Sequence, residues 1–272
     1  MASPSSTTSS RSRTSTTQAD LADFVEAPGR FMEPSLGALV VKTPRFVVIA
    51  GVDGVWASVQ GIRLGDGEAA DAIAEVRRLL PPGGTRVISW WLSNRSTPAD
   101  VEEQLLDAGL ELLADDYLLD GLLATTPPPP GPPDVEVRMA TTAEEWADVR
   151  QLQDDIFDNP PDRRPTREQM LTEFAKSSAV LFGAWLDGDL VGSGGATPSS
   201  RGMLLWGGSV REDARGRGCY RALTRARWDE AVRRGTPALT VGANEQSGPV
   251  LRKLGFEKVL EFRRIEDVLS EA

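Results

Sequence analysis

The chain has 272 residues, 40% of them hydrophobic, which is enough for two compact units and excludes a disordered or fibrous protein. A net charge of -10 argues against general nucleic-acid binding, whose affinity comes from clustered Lys and Arg. One cysteine, Cys219, and no histidine exclude a disulfide framework, a multi-cysteine zinc site and every His-dependent catalytic group, so a general base must be a carboxylate, lysine, tyrosine or water. With no apolar run near the roughly 20 residues that span a bilayer, and no secretory leader, the expectation is a cytoplasmic protein without membrane, nucleic-acid or metal partners.

Residues 1–18 are rich in Ser and Thr and are expected to form a disordered tail. Residues 19–124 form the first expected domain. Its β-rich runs, Leu39 to Val41, Phe46 to Ile49 and Trp56 to Ile62, are separated by Thr-Pro and by the hairpin signal Asp53-Gly54. Apolar residues at helical spacing predict a helix from Ala69 to Leu80, stopped by Pro81 to Gly84. Val87 to Trp91 reads as a strand, and a helix opens at Ser96-Thr-Pro and ends at Gly109. Residues 125–134 hold six prolines in ten, an extended spacer that marks the domain boundary.

Residues 135–272 form the second expected domain. Val135 to Met139 predicts a strand, and Thr142 to Ile156 a helix with Thr142 and Glu145 as a capping box. A polar loop with Asp154, Asp155, Asp158 and Asp162 leads to a helix from about Thr166 to Lys176. Three strands follow, Ala179 to Leu186, Leu190 to Ala196 and Met203 to Val210, the first two joined at Asp187-Gly188. A helix is predicted from about Gly216 to Arg234, then a strand from Ala238, a short helix around Val250 to Leu254 and a last strand from Phe256. The fold class is α+β, with a mostly antiparallel mixed sheet flanked by helices.

The chemistry sits between the strand ending at Val210 and the helix after Arg215-Gly-Arg-Gly218. A helix start offers backbone N–H groups without internal partners and a partial positive charge, and glycines let an anion approach that backbone. Arg215 and Arg217 add guanidinium forks that suit phosphate oxygens, so the segment reads as a diphosphate site. A solvated turn is the plain alternative, and a nucleotide- or RNA-binding turn is another.

Position in the chain favours the first reading, and residues 135–272 resemble the GCN5-related N-acetyltransferase (GNAT) family. Arg215 and Gly218 match its Arg/Gln-x-x-Gly-x-Gly/Ala signature, with Tyr220 in place of the last small residue. Asn244 followed by Leu254-Gly255-Phe256 matches a second landmark. The resemblance implies that acetyl-CoA lays its pyrophosphate on the amides of Arg215, Gly216, Arg217, Gly218, Cys219 and Tyr220. Its pantetheine arm would pair with the strand end at Ser209 and Val210 and touch Asn244. It also implies direct attack of a primary amine, from a small molecule or a peptide, on the thioester. The family tyrosine that protonates the departing thiolate falls at Leu251, and its strand glutamate at Leu204, so neither group is present. Asp155, Asp158 and Glu212 are the candidate bases, with solvated surface charge as their plain reading. Cys219 is a packing residue more often than a nucleophile, and Trp206 belongs to the core or to an acceptor pocket. A non-catalytic acyl-CoA-binding module is the rival function.

Asn94 to Glu111 echoes Asn244 to Glu257, which suggests a tandem arrangement whose N-terminal copy is degenerate. In that copy Asp66 and Glu68, within Arg63 to Glu68, stand where phosphates would sit, and the copy is expected to bind no coenzyme and to shape the acceptor cleft.

Overall fold

The computed structural model describes residues 18–33, 38–51, 56–80, 87–112, 118–161 and 164–269. The tail over residues 1–17, the Asp53-Gly54 turn, the Pro81 to Gly84 stop and Asp162 lie outside them. In chain order the helices are α1 (Gln18–Glu26), α2 (Ala69–Leu79), α3 (Val101–Asp107), α4 (Ala143–Ile156), α5 (Arg167–Lys176), α6 (Cys219–Arg233) and α7 (Ser247–Lys253). The strands are β1 (Ala38–Lys42), β2 (Val47–Gly51), β3 (Trp56–Gln60), β4 (Val87–Ser93), β5 (Glu111–Leu112), β6 (Leu118–Ala124), β7 (Val135–Met139), β8 (Val180–Leu186), β9 (Asp189–Pro198), β10 (Met203–Val210), β11 (Leu239–Ala243) and β12 (Glu257–Val268). None of these helices is long and apolar enough to cross a membrane.

All strands join one sheet in the order β1-β2-β3-β4-β12-β6-β11-β10-β9-β8-β7, with β5 on the side of β12. Among the described strands only β3 with β4 and β10 with β11 pair in parallel. Each parallel pair is bridged by one helix, α2 or α6, so the two halves repeat one path. Their last strands are exchanged. β6, from the first half, pairs with β11 of the second, and β12, from the second, pairs with β4 of the first, while β6 and β12 pair with each other at the centre.

Strand alternation divides the sheet into two dry faces. Beneath α2, α3, α6 and α7 lie two clusters, one around Trp90, Ile88 and Leu105 and one around Leu122, Met203 and Leu223. On the other face α1 covers the exchanged strands through Phe24 with Leu119 and Phe262, and α4 sets Trp146 and Val149 against Leu181.

Local chemistry explains where the elements begin. Thr142 and Glu145 form the expected capping box of α4, and Thr166 with Gln169 forms another at α5. Asp187 and Gly188 both take positive φ, 55° and 91°, as a tight hairpin requires. α3 starts at Val101 rather than near Ser96, because Leu64 and Thr97 are tied by a hydrogen bond from the Leu64 amide to the Thr97 carbonyl, which keeps the approach extended. α6 starts at Cys219 rather than Gly216, since Gly216 and Gly218 hold φ of 77° and 84°, which no right-handed helix allows. α7 starts earlier than its apolar pattern indicates, at Ser247, because the Asn244 side-chain oxygen accepts from the amides of Gln246 and Ser247.

At the first half's centre Glu26 is 3% exposed, yet it accepts from Arg63 at 2.9 and 2.7 Å and from the Ser93 hydroxyl at 2.6 Å, with Arg95 at 3.2 Å. Burial alone would raise its pKa, but the hydrogen bonds and charges of Arg63, Ser93 and Arg95 win and hold it below the usual carboxylate value. A depressed folded pKa stabilises the fold above the unfolded value of about 4.3, and that contribution is lost as pH falls through the folded pKa. Glu26→Gln is expected to cost about 3 kcal/mol at neutral pH. In denaturant titrations the gap to wild type should narrow as pH drops below about 4; a gap that stays constant with pH would assign the effect to shape instead.

Candidate functional site

β10 and β11 pair only at Met203 with Leu239 and Leu204 with Thr240, although β10 runs on to Val210 and β11 to Ala243. Beyond that point they part. The register of β10 against β9 shifts between Trp206 and Ser209, at Gly207, whose φ is 58°. A side chain there would collide with the Gln153 amide of α4, which donates to the Gly207 carbonyl. Two adjacent glycines inside a strand are the sequence mark of such a bulge. Ser209 points to the α4 face, where its hydroxyl lies 2.9 Å from that of Ser193.

After Val210 a short 3-10 turn, Glu212–Ala214, leads into the Arg215 to Gly218 loop. Its backbone hydrogen bonds use the amides of Ala214, Arg215 and Arg217, whereas those of Gly216, Gly218, Cys219 and Tyr220 donate to no backbone carbonyl among the described residues. No side chain caps α6, and no acidic residue lies in its first turn. A cluster of unclaimed N–H groups at a helix start, with two glycines in the left-handed region, makes an anion cradle. Arg215 reaches back to the Val210 carbonyl at 3.4 Å, and Arg217 pairs with Asp134 at 3.3 Å. Arg221 stands beside them, its guanidinium 3.4 Å from where a Gly218 side chain would begin. Sequence reasoning passed over Arg221, although a cation in the first turn opposes the helix dipole and so signals an anion.

The proline spacer is part of this site. Pro132 packs on Gly218, where an added Cβ would meet its ring at 2.9 Å, and Gly131 lies so close to Ala222 that a Cβ would come within 2.4 Å of it. Arg225 donates to the Pro128 carbonyl. Extended as expected, the segment is strapped across the start of α6.

Tyr220 sits in the first turn of α6, and its ring edge overlies Gly208 of β10, directed at the sheet. Cys219 is buried, and burial pushes its thiol pKa up, the opposite of an activated nucleophile. Asp155 and Asp158 are exposed beside Arg164, at 2.7 and 3.9 Å, and Glu212 is exposed in the 3-10 turn. Leu251, at the place of the family tyrosine, is fully buried, and the Asn244 side-chain oxygen caps α7. Trp206 packs with Trp146 and Leu181 and donates to Thr197 at 3.0 Å.

The corresponding turn of the first half is closed on itself. The Gly65 amide donates to Glu68 at 3.0 Å, the Gly67 amide to Gln104 at 3.1 Å, and Arg63 is held by Glu26. The Gly65 amide first, and Arg45 after it, keep the Glu68 carboxyl below its usual pKa.

Residues 146–256 match the model of the acetyltransferase (GNAT) family. Among solved structures the chain is similar to a GCN5-related N-acetyltransferase from Kribbella flavida, with TM-score 0.64 and 16% identity over 92% of this chain and 96% of that one. It is also similar to one from Sphaerobacter thermophilus, with TM-score 0.56 and 16% identity over 82% and 80% of the two chains. A tandem GNAT protein from the clavulanic acid biosynthesis pathway matches at TM-score 0.56 and 17% identity over 89% and 86%. No curated protein matches the chain. With the parted strands, the left-handed glycines and the unclaimed helix-start amides, these matches identify residues 146–256 as a GNAT-family acetyltransferase domain, in a chain that carries the fold of GCN5-related N-acetyltransferases along most of its length.

Proposed function

We propose that the protein transfers an acetyl group from acetyl-CoA to a primary amine of a small molecule or peptide by direct attack. The observation that carries this reading is the cradle of unclaimed amides of Gly216, Gly218, Cys219 and Tyr220, near where β10 leaves β11. The diphosphate would lie on those amides with Arg215, Arg217 and Arg221 around it, and the pantetheine arm would take the strand edge that β11 vacates, along Gly208 to Val210. An N–H group of that edge near Val210 would hold the oxyanion formed as the amine attacks.

The first half holds no second coenzyme on this reading. Glu68 and Gln104 already accept from the amides its turn would offer, and the carboxylate repels a phosphate. On this reading the domain limits remain 19–124 and 135–272, with β6 pairing β11 and β12 pairing β4 between the two units.

One observation favours a second reading, an acyl-CoA-binding module without turnover. Leu251 is apolar and fully buried, and β10 carries no carboxylate. Incubating the protein with acetyl-CoA and a panel of amines, with free-thiol release as readout, separates the two. Release above the protein-free rate with at least one amine supports transfer, and tight binding without release on any amine supports the binding module.

A further inference from the structure

α6 turns Tyr220, Thr224 and Arg227 toward the sheet, at a spacing of four and then three residues. β9 and β10 make room for them with glycine. A Cβ on Gly194 would lie 3.0 Å from the Arg227 guanidinium carbon, and one on Gly208 would lie 2.8 Å from the Tyr220 ring and 3.2 Å from its hydroxyl. Arg227 is 1% exposed, and among the described residues no carboxylate pairs with it. Its donors go to the carbonyls of Leu223 and Gly195, at 3.1 and 3.4 Å, to the Thr224 hydroxyl at 3.4 Å, and to the Tyr220 hydroxyl.

A buried cation without a counter-ion is expensive, and burial accordingly pushes the Arg227 pKa down. A guanidinium only donates, so in their hydrogen bond the phenol oxygen is the acceptor and its own proton is directed elsewhere. No described residue accepts that proton. The hydroxyl overlies Gly208, beyond the last pairing of β10 with β11.

Resting on the coenzyme placement above, we propose that the Tyr220 hydroxyl, backed by Arg227, is the proton donor to the departing coenzyme thiolate. As the amine nitrogen bonds to the thioester carbon, the C–S bond breaks with its electron pair on sulfur. The proton leaves the Tyr220 oxygen for sulfur. The phenoxide, facing the Arg227 guanidinium, regains a proton from water, and water takes the surplus proton of the amine. The group thus reaches the sulfur from α6, while α7 presents only Leu251.

The ionisable groups at this place are few. Beneath α6 the sheet offers glycine, aliphatic side chains and Phe182, none of them ionisable, and Asp134 and Arg217 of the loop pair with each other. Cys219, buried next to Tyr220, is the remaining titratable group.

The test needs no acceptor. Affinities of free CoA and of acetyl-CoA for the full chain are measured by calorimetry between pH 6.5 and 9. Only free CoA can present a thiolate, its thiol ionising near pH 8.5 in water. A donor aimed at sulfur favours the thiolate, so in wild type the ratio Kd(CoA)/Kd(acetyl-CoA) should fall about tenfold across this range, the equivalent of one pKa unit. Tyr220→Phe keeps the ring and removes the donor, and the fall should shrink to under about threefold. Arg227→Met should flatten it likewise, and if that variant does not fold the phenylalanine variant alone decides. An equal fall in wild type and Tyr220→Phe, or no fall in wild type, overturns the inference while leaving coenzyme binding intact. If wild type binds neither ligand, the coenzyme placement fails and this inference falls with it.

Discussion

Gly218→Val is expected to weaken acetyl-CoA binding at least tenfold, the equivalent of about 1.4 kcal/mol. Gly218 holds φ at 84° as the last residue before α6. A β-branched residue there is strained by about 1–3 kcal/mol, and its Cβ would start 2.9 Å from the Pro132 ring. The loop relieves both only by turning the Gly218 and Cys219 amides away from the position that an anion would take. The cost falls on binding more than on folding, because the loop is at the surface and its glycines support no core. Calorimetry with acetyl-CoA reads the affinity, and thermal unfolding reads the stability, which should change by only a few degrees. Wild-type affinity in this variant would remove the loop from the coenzyme site.

A fragment of residues 134–272 is expected not to fold as a monomer. It contains the whole GNAT match but lacks β6. That strand lies between β11 and β12, and along it residues Leu118 to Ala124 pair with one neighbour or both. Removing it bares two strand edges and takes away Leu122, which is fully buried beneath α6 and α7. The loss exceeds the 5–15 kcal/mol that typically separates folded from unfolded chains, because a whole central strand and its apolar contacts go at once. The full chain should unfold in one cooperative transition by circular dichroism, and the fragment should show none and aggregate. A monomeric fragment with its own sharp transition would show that strand exchange is dispensable.

Much of this fold was legible in the sequence. The order of most elements was readable because turn residues stand between the apolar runs, Asp187-Gly188, Gly235 and the two family landmarks each falling where the backbone needs them, but α1 and β6 were not anticipated. Periodicity alone did not mark the ends of α3, α6 and α7. Those ends are fixed by a tertiary hydrogen bond at Thr97, by left-handed glycines and by the Asn244 cap. The strand exchange left no trace in the sequence, since β6 and β12 look alike whether they close their own half or the other.

The site divides in the same way. Its anion cradle is a property of local backbone, so Arg215 to Gly218 announced it. Whatever depends on distant neighbours stayed hidden: Gln153 under the Gly207 bulge, Pro132 against Gly218, and Arg227 behind Tyr220. Tyr220 read as a defect in a signature. In three dimensions its ring leaves the cradle and covers Gly208, where it does not obstruct a phosphate. The candidate carboxylates Asp155 and Asp158 were found by loop position, and the structure places both beside Arg164 at the surface.

The most direct test of the central claim is a calorimetric titration of the full chain with acetyl-CoA at neutral pH. One site per chain is predicted, in the half that holds the open cradle, with the binding weakened by Gly218→Val and indifferent to Glu68→Gln in the closed turn of the first half. Two equivalent sites, or no binding at all, would contradict the account.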